Sequence, residues 1–105
     1  MVIVETSVFT RQVQALLSDE EYRQLQVMLI QHPDLGPVIP GSGGLRKMRW
    51  QAAGRGKRGG TRVIYYRAAA QNRLLMLLIY AKNEQDDLSP AQLRALRRIV
   101  EEEYP

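Results

Sequence analysis

The chain has 105 residues, 45% of them hydrophobic and 25% charged, with a formal net charge of +4; this is one globular domain spanning 1–105, and not a disordered tail. It contains no cysteine, which excludes a disulfide framework, thiolate metal sites and a cysteine nucleophile. No apolar run reaches membrane-spanning length and no secretory signal is visible at the N-terminus, so a soluble protein of the cytoplasm, without a membrane partner, is expected.

In chain order, Met1 to Glu5 alternates weakly and suggests a short first strand. Phe9, Val13, Leu16 and Leu17 then recur at helical spacing. Ser18 and Glu21 form a capping box that opens a second helix, with Tyr22, Leu25, Met28 and Leu29 as its apolar stripe. That helix ends near Gln31, because Pro33 forces His32 out of the helical region. A loop dense in Pro and Gly follows. Three strands are predicted next, at Leu45 to Trp50, Thr61 to Arg67 and Arg73 to Tyr80, and their short connections imply antiparallel hairpins. A last helix has Ser89 as N-cap, Pro90 at its first position and Gln92 closing the capping box. The order β-α-α-β-β-β-α predicts an α+β domain: a small antiparallel β-sheet packed by two N-terminal helices and a C-terminal helix.

The segment "AAGRGKRGGTRVIYY" between the first two predicted hairpin strands spells G-x-G-x-x-G through Gly54, Gly56 and Gly59. The dinucleotide-binding fingerprint needs a helix after the glycines and an acidic residue about 20 positions on. Here the glycines run into a β-branched and aromatic strand, and no Asp or Glu occurs from Leu35 to Asn83. A phosphate-binding Walker loop also fails, since Gly59 is followed by Gly60-Thr61 instead of Lys-Ser/Thr. The match is accidental, but the charge pattern around it is informative. Ten Lys or Arg residues lie between Leu35 and Asn83, while all eleven carboxylates lie outside that window. Such segregation suits a polyanion, and exposed glycine N–H groups beside cations suit phosphates.

Strand alternation separates Lys47 and Arg49 from Arg46, Met48 and Trp50, and separates Arg62, Ile64 and Tyr66 from Val63, Tyr65 and Arg67. Cations are therefore expected to converge on one exposed sheet face or its rim, with Arg55, Lys57 and Arg58 overhanging it and Tyr80 and Lys82 at the end of the last strand. The aromatics Trp50, Tyr65 and Tyr66 read as packing residues. His32 is the single histidine, so a two-histidine ribonuclease is excluded. Asp86 and Asp87 read as a charged lead-in to the last helix. With no carboxylate cluster in the basic window, no metal and no cofactor are expected. One route to phosphodiester cleavage remains: Lys or Arg stabilises a pentacoordinate phosphate, while a Lys depressed by neighbouring cations, or a Tyr, moves the proton. RNA suits that route, because its 2′-hydroxyl is a nucleophile already beside the phosphorus. A basic module that binds RNA or DNA without cutting it would share the same composition.

The line "GSGGLRKMRW…GRGKRGGTRVIYY…LLIYAKNEQDDLSPAQLRAL" resembles the RelE superfamily of bacterial type II toxins, and most its HigB-type branch, over about residues 2 to 103. The resemblance implies a RelE-like fold and an mRNA interferase that cuts mRNA in the ribosomal A site and is held inactive by a cognate antitoxin carrying a DNA-binding domain. Carried over by position, it implies RNA contacts for Lys47 and Arg49, contact with the scissile phosphate for Arg62, and a role for Lys82 in the basic segment after the last strand. Arg46, Arg55 and Arg58 complete the expected RNA-binding set, and Lys57 joins Arg62, Lys82 and Tyr80 as a catalytic candidate. The best-known members carry an arginine where this chain has Asn83, and a C-terminal tyrosine where it has Leu88 or Ser89; Tyr80 and Lys82 are the residues available for those roles. An inactive relic of such a toxin is the third reading.

Overall fold

The computed structural model describes residues 1–51 and 60–105; Gly54, Gly56, Gly59, Arg55, Lys57 and Arg58 lie outside the described residues. Among the described residues the elements are β1 (Val2–Glu5), α1 (Ser7–Leu16), α2 (Asp19–Gln31), β2 (Leu45–Trp50), β3 (Thr61–Ala68), β4 (Arg73–Ala81) and α3 (Pro90–Glu103), with a 3₁₀ turn at Ala69–Gln71. They match the predicted order, and the two capping boxes hold α2 and α3 as expected: Glu21 N–H donates to Ser18 Oγ at 3.1 Å and Gln92 N–H to Ser89 Oγ at 3.1 Å. Among the described residues, no helix is long and apolar enough to cross a membrane.

The four strands form one sheet in the order β1-β4-β3-β2. The β2–β3 and β3–β4 pairs are antiparallel, as the short connections require. Asn72 closes the β3–β4 connection in the left-handed region at φ 56°, where its short polar side chain is tolerated. The first strand joins in a way that local pattern does not specify: β1 lies parallel to β4, from Val2 opposite Arg73 to Glu5 opposite Met76. Beyond that last pair, α1 takes over the edge of β4. Thr6 Oγ1 donates to Leu77 O at 3.1 Å, and Gln12 Oε1 accepts from Ile79 N–H at 3.2 Å. Side chains thus satisfy main-chain groups that a longer β1 would have paired.

Helices cover both faces of this sheet, which explains why β3 and β4 read as nearly continuous apolar runs. On one face Phe9, Val13, Leu25 and Leu29 of α1 and α2 pack with Met48, Val63, Tyr65, Met76 and Ile79. On the other, Leu96 and Val100 of α3 pack with Leu45, Ile64, Leu75, Leu77 and Tyr80. A β-bulge lies at the change of register between Ile64/Leu78 and Tyr65/Met76, which leaves Leu77 extra. The extra residue shifts the alternation by one, so Tyr80 faces α3 and not the helical pair. That shift puts Tyr80 on the same face as Lys47, Arg49 and Arg62.

Candidate functional site

The α3 face of the sheet is apolar where the helix lies and cationic beyond it. Arg62 stands in the middle of a cross-strand row, opposite Arg49 on β2 and Tyr80 on β4. Two arginines directly opposite repel one another, so this arrangement needs a compensating anion. The chain supplies one. Asp86 Oδ1 lies 3.6 Å from Arg62 Nη2, and the next residue, Asp87, accepts from Lys47 Nζ at 2.7 Å. The Asp86 carbonyl oxygen accepts from both Lys47 Nζ, at 2.8 Å, and the Tyr80 hydroxyl, at 3.1 Å. Three predicted site residues, Lys47, Arg62 and Tyr80, therefore meet at one short acidic segment between β4 and α3.

Burial differs sharply within this group. Arg62 is 1% exposed, whereas the side chains of Asp86 and Asp87 are 65% and 85% exposed. The exposed cationic face expected from alternation does not extend to Arg62, whose guanidinium is buried with the Asp86 carboxylate beside it. Arg49 is exposed beside it. Burial, then the charge of Asp87, raises the Tyr80 phenol above its ordinary value, with Arg62 pulling the other way. The hydroxyl consequently stays protonated at neutral pH and is a donor. The hydrogen bond from Lys47, reinforced by its charge, holds the Asp87 carboxyl below its usual range.

Arg46 lies elsewhere. Alternation sends it to the opposite face, where its guanidinium donates to Gly36 O at 2.8 Å and lies 3.3 Å from Asp34 Oδ1. Arg67 donates to both Asp34 oxygens, at 2.7 and 2.8 Å. Tyr65 is fully buried beneath them, donating to Pro33 O at 2.8 Å and accepting from Gly36 N–H at 2.9 Å. These contacts clamp the loop after α2 onto the sheet, so Arg46 is drawn into structure and not grouped with Lys47 and Arg62. Lys82 is exposed just past β4, with its N–H donating to Gly60 O at 3.3 Å. His32 is the exposed C-cap of α2.

Along the outer edge of β2 runs an open groove of about 620 Å³ whose lining includes Leu35, Pro37, Val38, Lys47, Arg49 and Asp87. A lining of apolar side chains together with two cations suits a ligand with both a flat apolar part and an anionic part. Sequence reading missed Asp34, Asp86 and Asp87 as members of these sites. The available signal was their position, since Asp34 and the Glu84–Asp87 stretch bound the carboxylate-free window on either side.

The family model describing the RelE toxin of the RelE/RelB toxin–antitoxin system matches residues 3–103. In shape the chain is similar to a mutant of the E. coli toxin RelE in the free state, with a TM-score of 0.61 and 10% identity, covering 93% of this chain and 94% of that one. It is also similar to the isolated E. coli RelE toxin, with a TM-score of 0.58 and 14% identity, covering 93% and 97% of the two chains. A chain of the intact E. coli RelBE toxin–antitoxin complex matches with a TM-score of 0.58 and 12% identity, over 76% of this chain and 94% of that one. At these identities the structural likeness carries the fold, and the family model carries the kinship.

Proposed function

This chain belongs to the RelE toxin family, and we propose that it is a ribosome-dependent endoribonuclease that cuts mRNA in the A site without a metal. The observation that carries this reading is the convergence of Lys47, Arg62 and Tyr80 at one end of the sheet, next to the exposed Arg49. With the Asp86 and Asp87 carboxylates displaced, such a site offers a phosphate two fixed positive charges and a protonated hydroxyl, which suit the charge that develops during in-line attack by a 2′-hydroxyl. The 2′-oxygen forms a bond to phosphorus while the bond to the 5′-oxygen breaks, leaving a 2′,3′-cyclic phosphate and a 5′-hydroxyl. Arg62 donates to the phosphate oxygens as their charge grows, through a guanidinium that is charged at any working pH. Tyr80, held protonated by burial, is suited to give a proton to the leaving 5′-oxygen. Lys82, or Lys57 in the segment outside the described residues, takes the proton of the 2′-hydroxyl. Lys47 and Arg49 bind the flanking phosphates, and the groove beside Leu35 and Val38 accepts a base.

On this reading the protein works in the cytoplasm, and its activity is restrained by a cognate antitoxin with its own DNA-binding domain. The likeness to a chain of the RelBE complex supports such a partner. The HigB-type branch rests on the sequence motifs "GKRGGTRVIYY" and "YAKNE". A basic module that only binds nucleic acid is separated from this reading by inducible expression in bacteria lacking the neighbouring gene, with mapping of mRNA 5′ ends. Growth arrest with discrete, in-frame cuts is the expected result. Growth arrest without new 5′ ends would overturn the nuclease reading, and co-expression of the neighbouring small reading frame should restore growth.

A further inference from the structure

We infer that Asp86 and Asp87 are a built-in substitute for two consecutive phosphates, occupying the cationic site until a polyanion displaces them. The inference rests on the reading of that site as one for RNA phosphates, and it adds how the site is kept closed. Two adjacent carboxylates fall on two cations of neighbouring strands, Asp86 on Arg62 and Asp87 on Lys47. Lys47 and Arg62 are diagonal neighbours across the β2–β3 ladder, since Arg49 pairs with Arg62 and Lys47 with Ile64. Consecutive anions along one backbone therefore match consecutive cations across two strands. A nucleic-acid strand would present its phosphates in the same way.

The geometry is that of a cover and not of a buried ion pair. Both carboxylates are mostly in solvent while Arg62 lies beneath them at 1% exposure. Side chains this exposed can leave the two cations without opening the core. The Asp86 carbonyl accepts from Lys47 and from Tyr80, so the same segment that neutralises the charges also holds the proposed proton donor. The acidic pair lies in the connection between the end of β4 at Ala81 and the start of α3 at Pro90, between the Gln85–Gln92 hydrogen bonds and Leu88, which packs against the α3 core. A phosphodiester carries one charge, as a carboxylate does, but a strand brings several in a row, each with two non-bridging oxygens able to make bidentate bonds to Arg62. Repulsion between Arg49 and Arg62 ensures that one anion or another is always favoured there.

The test is binding, measured apart from cleavage. A fluorescent single-stranded RNA, fully 2′-O-methylated so that it cannot be cut, is titrated by anisotropy with wild type, with Asp86→Asn/Asp87→Asn, and with Glu102→Gln/Glu103→Gln. The last variant changes net charge equally at the far end of α3. The Asn substitutions keep the main-chain acceptor of Lys47 and Tyr80 and remove only the charges. Relative to the Gln control at the same salt, the Asn variant should bind about three- to tenfold more tightly, the scale expected for two partly exposed charge contacts. Equal affinities of the two variants would overturn the inference while leaving the RNA site standing. No binding by any of the three at about 50 mM salt, where phosphate contacts are strong, would overturn both. If the double Asn variant fails to fold, Asp87→Asn against Glu103→Gln decides by the same criterion, since Asp87 is 85% exposed.

Discussion

Arg62 faces a second arginine across one pair of strands and a tyrosine across the next, and it is among the most buried side chains in the protein. A cation in that position costs folding free energy unless anions are close by, so retaining it makes chemical sense where an anion is to be bound. The second ionic group, around Asp34, has the opposite character, being a clamp between the α2–β2 loop and the far face of the sheet. The Arg67 hydrogen bonds, then the charges of Arg67 and Arg46, lower Asp34 from its ordinary value of 3.8. Its folded pKa is depressed, so the clamp's contribution to stability is present above about pH 3.8 and is lost as pH falls through the lower folded value. Solvent exposure of the carboxylate keeps that contribution small. Carboxyl-carbon NMR should find the Asp34 midpoint below 3.8 in the wild type and raised toward 3.8 in Arg67→Ala, where Arg46 still acts on it. An unshifted midpoint in the wild type would show that the clamp is not formed in solution. None of this pairing was legible in the sequence, because Arg67 and Asp34 are 33 positions apart and Lys47 and Asp87 are 40 apart. The carboxylate-free window showed where cations cluster, but not that the fold returns acidic residues from its two borders onto them.

Elements were the most legible level, because their signals are local. Two capping boxes, Pro90 at the first position of α3 and Pro33 after α2 each act within a few residues. The parallel pairing of β1 and the bulge at Leu77 were not legible, since both are settled by contacts across the whole chain. The bulge matters most for function, because simple alternation through β4 cannot tell which face Tyr80 joins. Gly60 illustrates a constraint between the two levels. It has φ 66°, and a Cβ there would lie 2.3 Å from the carbonyl oxygen of Trp50. Close approach of two backbones at the start of the β2–β3 ladder thus requires glycine. Gly60→Ala should cost about 1–3 kcal/mol, from positive-φ strain and displacement of the Trp50 carbonyl. Urea unfolding checks this; a midpoint equal to wild type would mean that the two strands are not held this closely.

For the whole molecule, the formal charge of +4 understates the organisation of charge. Cations from the centre of the sequence occupy the sheet, and the acidic borders of that window fold back as a clamp on one face and a cover on the other. Sequence alone placed Lys47, Arg49, Arg62 and Tyr80 on the right strands, and the fold brings Lys47, Arg62 and Tyr80 together. It set Arg46 among them, although alternation sends that side chain to the opposite face. In this three-layer arrangement the helical pair lies on the face of the sheet opposite Lys47, Arg62 and Tyr80. Arg11, on α1, is accordingly a control for Arg62. The most direct test is single-turnover cleavage of mRNA on programmed ribosomes by wild type, Arg62→Ala and Arg11→Ala, with melting temperatures measured in parallel. Loss of the Arg62 guanidinium should slow the cleavage step by about 10²–10³-fold, the scale for removing one donor to a developing oxyanion, with a smaller change in ribosome affinity and none of note for Arg11→Ala. A folded Arg62→Ala protein that cuts at the wild-type rate would contradict the account.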